Sequence, residues 1–387
     1  MVKSMYAAVA GLRTHQAKMD VIGNNIANVN TFAFKKARAT FRDQFYATMW
    51  GSSNAGLIYG GGNPSQVGYG SSLSSIEVDF GTASGAPTGN GMDVMINGNG
   101  FFLTGKYNGL GISTTSRPHS DPAVLNMTSL SLTRIGIFNI DGYGNLVDAN
   151  RNYIYGFDMK IVETETTDAE GNTVTTITRE PVKDLLQMLQ VPMIWMNADG
   201  SAIRGAGGEN YISAQYLRNA DGTYAVDPDT GERLFEDPGT GGGGGGGGLT
   251  KAEYEAQMQT ANPGSYLAPM KLYNISIGQN GSVTGMNEWN EPITLGLIAV
   301  ANVPNPNALE AEGNGYYKAK ENTGVLTAEE AGGGGTGLLR AGALEMANVD
   351  LAQEFTDMIT TQRGFQANGR IITVTDEMLA ELVNLKR

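Results

Sequence analysis

The chain has 387 residues, no cysteine, 54 glycines and a formal net charge of −13. That length can bury two or three cores. The missing thiols exclude disulfides, thiolate metal sites and cysteine nucleophiles, and the acidic balance argues against nucleic acid or an anionic membrane surface as partner. At 41% hydrophobic and 17% charged residues the sequence is expected to fold, and glycine at about twice its usual frequency points to many tight turns between short strands.

From the N-terminus, Val2, Met5, Val9, Leu12, Met19 and Ile26, with Gln16 and Gly23 filling the gaps, recur at alternating spacings of three and four, the stripe of an amphipathic helix. Gly23, Asn24, Asn25, Asn28 and Asn30 weaken that helix towards its end. Residues 1–12 lack the apolar run and small-residue cleavage site of a secretory leader, and no stretch reaches the roughly 20 apolar residues that span a bilayer. Neither a cleaved signal nor membrane insertion is expected.

The middle of the chain changes to period two. Ser75 to Phe80, Met92 to Ile96, Ile135 to Ile140, Tyr153 to Ile161, Thr173 to Thr178, Met270 to Ile277 and Ile293 to Val303 alternate or run apolar between Gly, Asn, Asp and Pro, and so predict strands and hairpins. The eight glycines Gly241–Gly248 have nothing to pack and predict a mobile surface loop. At the C-terminal end a helical stripe returns, with Leu351, Phe355, Met358, Gln362 and Phe365 in one register. Ile371, Thr375, Met378, Leu382 and Leu385 form a second, shifted near Gly364 and Gly369.

This gives a mainly β protein with α-helical termini. Short helices are marginal in water without partners, and two helices at opposite ends of a chain meet only if the β region brings them together. Lateral neighbours would supply the apolar surface such a pair lacks, which is what a heterologous, non-closing assembly requires. Two other classes stay open: a secreted β-rich adhesin or carbohydrate-binding protein, against which the helical termini speak, and an enzyme, which needs a convergent polar site.

Particular residues narrow the choice. Asp20-Val21-Ile22-Gly23-Asn24-Asn25-Ile26-Ala27-Asn28-Val29-Asn30-Thr31, followed by Phe34-Lys35, resembles the N-terminal signature of the bacterial flagellar rod and hook axial proteins. Ala33 stands where that family usually has glycine, so the turn is expected to be less left-handed. Asn63 to Gly68, Thr88-Gly89-Asn90, Ile96 to Phe102, Leu132 to Gly136, Asn348 to Leu351, Met358-Ile359-Thr360, Gln362-Arg363-Gly364-Phe365-Gln366-Ala367-Asn368 and Asp376 to Leu379 continue the resemblance in order.

The resemblance implies a nested multi-domain fold. Residues 1–30 and 350–387 would form an inner coiled-coil layer and 31–75 an extended linker or hinge. A β-rich middle domain would comprise 76–157 and 270–349, with 158–269 inserted as a variable outer β domain. It further implies a structural hook subunit of the flagellum, self-assembling into a curved tubular joint, with a distal rod subunit as the alternative. The partners implied are further copies of the chain, the distal rod protein, the hook cap and hook–filament junction proteins, and the flagellar type III export apparatus. Assembly would use Met5, Val9, Leu12, Met19, Ile26, Leu351, Phe355, Met358, Phe365, Met378, Leu382 and Leu385, and Met5, Val9 and Leu12 would also be read during export. Methionines in these seams repack readily between subunit spacings, which suits a joint that bends.

No catalytic, cofactor or metal site is expected. His15 and His119, the latter beside Arg117 and Asp121, lack the converging ligands of a metal site. Asp227, Asp229 and Glu232 approach a calcium loop, but Pro228 intervenes. Gly98-Asn99-Gly100 leads into a strand rather than a helix, unlike a phosphate cradle. The acidic pairs Glu163 with Glu165 and Glu329 with Glu330 are read as solvated.

Overall fold

The computed structural model describes residues 2–54, 60–106, 112–113, 130–167, 173–203, 234–235, 249–261 and 264–385. His119, the acidic residues 227–232 and the glycine run 241–248 lie outside them. Two units are present, residues 1–81 with 346–387 and residues 82–345.

The first unit joins the two ends of the chain. Helix α1 spans Val2–Ala27, and the Ala37–Asp43 strand pairs antiparallel with Ser71–Val78. Tyr46–Trp50 pairs with Ser65–Gly68 in the same sense. The segment expected as an extended linker therefore carries hydrogen-bonded ladders. The turn after α1 corrects one expectation: Ala33 is left-handed, with φ 58°. That conformation costs a non-glycine residue about 1–2 kcal/mol. Local hydrogen bonds hold it, from Thr31 N to Asn28 O and from Phe34 N to Thr31 O.

The second unit holds nearly all of the apolar core. Its largest sheet centres on Pro292–Asn302, which pairs with Tyr153–Thr167, Phe101–Gly105, Ser282–Met286 and Thr327–Glu330. The expected strands at 153–161, 173–178, 270–277 and 293–303 thus appear as Tyr153–Thr167, Thr173–Met188, Tyr273–Ile277 and Pro292–Asn302. Val94, Ile96, Phe102, Phe138, Ile298 and Val300 are buried in its core, with Phe102 and Phe138 edge to face at 5.1 Å.

Three motifs of this unit converge on one ion pair. Arg134 Nε donates to Glu345 Oε2 at 2.9 Å, and both side chains are buried. The same guanidinium donates to the carbonyls of Gly98 at 2.8 Å and Gly100 at 3.2 Å. Gly98 and Gly100 have φ of 129° and 125°, so the Asn-Gly-Asn-Gly turn offers its carbonyls inward as only glycine readily permits. Glu345 also accepts from Ala83 N at 3.0 Å. Burying two charges is tolerable because so many of their donors and acceptors are satisfied.

A helix that periodicity did not predict, α2, spans Lys251–Ala261. Thr250 N donates to Glu253 Oε2 at 2.9 Å and Glu253 N to Thr250 Oγ1 at 3.4 Å, a reciprocal capping box. Tyr254 on this helix stacks on Phe235 at 4.9 Å between ring centres and lies 5.4 Å from Trp195.

Candidate assembly surface on the terminal helices

Helix α3 spans Leu351–Leu385 and runs unbroken through Gly364 and Gly369, the places where its apolar register shifts. Asp350 starts it by accepting from Ala352 N at 2.9 Å and Gln353 N at 3.3 Å, an N-cap arrangement. Its first turn carries Glu354, a favourable charge at the positive end of the helix dipole.

The two terminal helices pack antiparallel. A Cβ at Gly11 would fall 2.7 Å from Asn368 Nδ2, and one at Gly364 would fall 2.7 Å from His15 Cε1, so glycines permit the close approach. Lys18 Nζ lies 3.6 Å from Asp357 Oδ1, and Asn25 Nδ2 donates to Glu354 Oε2 at 3.3 Å. The seam is polar. On α3 the buried side chains are Glu354, Thr361 and Thr375, and with half-buried Asn368 they recur every seven residues. Gly11, Lys18 and Asn25 repeat at the same interval on α1. Polar residues at such positions fix register at the expense of adhesion.

Asparagines then tie the helices to the ladder. Asn25 Nδ2 donates to Ala37 O at 2.9 Å while Ala37 N donates to Asn25 Oδ1 at 3.0 Å. Asn348 Oδ1 accepts from Lys36 N at 2.7 Å, and its Nδ2 donates to Asp79 O at 2.8 Å. Lys35, itself buried, donates to Gly81 O at 2.7 Å. Asn24, Asn28 and Thr31 bond among themselves: Asn28 Nδ2 donates to Asn24 Oδ1 at 3.0 Å and Thr31 Oγ1 to Asn28 Oδ1 at 3.3 Å. Ala27, Asn30, Gln362 and Arg363 are exposed.

The residues expected to mediate assembly occupy the other faces. Met5, Val9, Leu12, Met19, Ile26 and Met358 are half-buried. Leu351, Phe355, Phe365, Met378, Leu382 and Leu385 are exposed, from 37% at Phe365 to 81% at Leu385. Sequence reasoning missed the inward residues Glu354 and Thr361 and placed Thr375 in the same stripe as exposed Ile371 and Met378, although the seven-residue spacing of all three was there to be read.

Among the described residues of this unit, the buried apolar side chains are Ala8, Ile22 and Ala33. All but six of the large apolar side chains left exposed in the described residues also belong to it. A unit so short of core and so rich in uncovered apolar surface is that of an assembly subunit rather than of a self-sufficient domain. Among the described residues no cluster of three or more metal-ligating side chains occurs, and no helix is long and apolar enough to cross a membrane.

Known proteins agree with this class. Residues 5–35 match the family described as flagella basal body rod protein, and residues 340–385 match flagellar basal body rod FlgEFG protein C-terminal. The chain is 31% identical to the flagellar hook protein FlgE of Borreliella burgdorferi, over all of both chains. It is 30% identical to the flagellar basal-body rod protein FlgG of Bacillus subtilis, again over all of both. With FlgE of Escherichia coli it shares 27% over 98% of this chain and 99% of that one. The chain belongs to the flagellar basal-body rod and hook protein family.

Proposed function

We propose that the chain is a structural subunit of the bacterial flagellar hook, polymerising into a curved tube that passes torque from rod to filament, with no catalytic role. The observation that carries this reading is the terminal unit, whose described residues bury the apolar side chains of Ala8, Ile22 and Ala33 alone and leave large ones such as Phe355, Phe365, Met378 and Leu382 exposed. Surface of that kind is covered by neighbours, and distinct faces on α1 and α3 favour a heterologous contact that propagates. The full-length relatives named hook proteins support the reading.

The finer assignments follow from it. The terminal helices form the inner layer, residues 76–157 with 270–349 the middle domain and 158–269 the outer one, with the 31–75 ribbon acting as hinge. Distal rod, cap and junction proteins are the neighbours at either end. Export runs through the flagellar type III apparatus, which reads Met5, Val9 and Leu12. Normal secretion of Met5→Asp with Val9→Asp would remove that last point.

The test of assembly is electron microscopy of the intact chain beside a variant lacking residues 1–30 and 350–387, concentrated under salting-out conditions. Tubes from the intact chain alone are expected, and persistently monomeric intact protein would overturn the reading. The rod reading has in its favour the relative named FlgG, whose alignment of 388 residues spans both chains completely. Straight tubes in place of curved ones would favour it.

A further inference from the structure

Helix α3 outruns its partner. The pairings of Gly11 with Asn368, His15 with Gly364 and Asn25 with Glu354 set a register in which Val2, the first described residue of α1, falls opposite residue 377. Residues 378–385 then have no described α1 residue beside them and extend past Val2 by roughly 12 Å at the helical rise. This end carries exposed Met378, Leu382, Val383 and Leu385, together with Asp376, Glu377 and Glu381.

A second feature lies on a different face of α1. Tyr6, Val9, Arg13, Phe45, Tyr69 and Leu73 line an open groove of about 790 Å³ between α1 and the ladder. Its wall is held in place by Thr14 Oγ1, 3.2 Å from Ser71 Oγ, and by Gly70, where a Cβ would fall 3.0 Å from that of Ala10. No α3 residue lines it. Its charges are cationic: Arg13 in the lining, and Lys3 Nζ 5.8 Å above the Tyr69 ring. Among the described residues neither Arg13 nor any of the three acids on the α3 end has an ion-pair partner.

We propose that the groove of one copy receives the projecting end of α3 from a second copy, with Leu382 and Leu385 against its apolar wall and Glu381 facing Arg13. This rests on the assembly reading and specifies which two surfaces meet. The contact is heterologous, so each copy offers both a groove and an end, and the chain of contacts need not close. The charge pair orients the entering helix, while the apolar stripe supplies the adhesion.

The absence of cysteine makes a direct test available. Chains carrying one substitution in the groove, Tyr6→Cys or Val9→Cys, and one on the end, Leu382→Cys or Leu385→Cys, are polymerised and oxidised. At least one of the four combinations should give a ladder of disulfide-linked oligomers, since two cysteines bridge only when their Cα atoms lie within about 7 Å. Tubes without a ladder in any combination would overturn the inference while leaving the assembly reading intact. A disulfide-linked dimer from Val9→Cys alone would point to a symmetric groove-to-groove contact and also overturn it. If unmodified chains form no tubes under any condition, both fall. As a second measurement, Arg13→Glu and Glu381→Arg should each raise the critical concentration about fivefold, and the two together should recover most of it. No recovery would count against the pairing.

Discussion

Gly11 and Asn368 face each other across the helix seam so closely that a Cβ on Gly11 would lie 2.7 Å from Asn368 Nδ2. The near atom is the tip of a side chain able to turn aside, and alanine is the better helix former by about 1 kcal/mol. Gly11→Ala is therefore expected to leave helicity and polymer yield near those of the parent chain. Gly11→Leu asks for more room than one asparagine can give. Overpacking of that kind costs about 1–3 kcal/mol, so the soluble fraction left after polymerisation, measured by sedimentation, should rise by roughly tenfold or more.

Arg134 and Glu345 are expected to be mutually dependent. Removing one partner leaves a buried charge uncompensated, so Arg134→Met should destabilise residues 82–345 by about 3–5 kcal/mol. Arg134→Met combined with Glu345→Leu should recover a large part of that loss. Urea unfolding followed by fluorescence of the buried Trp195 would measure both, and additive losses would show that the two side chains act independently.

Tyr316 gives a pH dependence with a definite sign. Its hydroxyl donates to Asp148 Oδ2 and accepts from Asn150 Nδ2 at 2.9 Å. Burial first, then the Asp148 carboxylate, push its pKa up from 10.0 to about 12. Burial also raises Tyr153 and Tyr317. The protonated forms favour the folded state, so the stabilisation is complete below pH 10 and is lost as pH climbs towards 12. Tyr316→Phe should flatten part of that decline in denaturant midpoints measured from pH 9 to 12.

Ala33 is expected to discriminate among substitutions by backbone shape. Glycine would relieve the left-handed strain but lose a buried methyl worth about 0.8 kcal/mol and loosen the unfolded chain. Ala33→Gly should therefore lie within about 1 kcal/mol of the parent. A β-branched residue fits that region worst, and Ala33→Val should cost about 2 kcal/mol or more. Thermal melts of polymerised protein would rank the three, and equal melts would argue against a left-handed turn there.

The β-rich class with helical ends was legible because both periods are strong. The exposed stripe of Phe355, Phe365, Met378 and Leu382 could be read from spacing alone. Which face of each helix turns inward could not, because hydrophobicity marks a face that needs covering without saying whether the cover is the same chain. Here glycine, threonine and asparagine hold the inner seam. Ala33 was misread because residue preference is a weak local term beside the hydrogen bonds around it. Helix α2 escaped a periodicity search, although Thr250 and Glu253 stand at capping-box spacing. The gathering of Arg134, Glu345 and the glycine turn depends on contacts from 34 to 211 residues apart, which no local pattern encodes.

The polar seam has a consequence for how such a tube can be altered. Alignment of the two ends is read by one set of residues, Asn25, Glu354, Thr361 and Asn368, while in the proposed assembly adhesion between copies would fall to another set on the outer stripe. Register and grip would then be separate dials: on that proposal, changes along the exposed Phe355, Phe365 or Leu382 would retune how firmly copies hold one another without disturbing how each chain finds its own register.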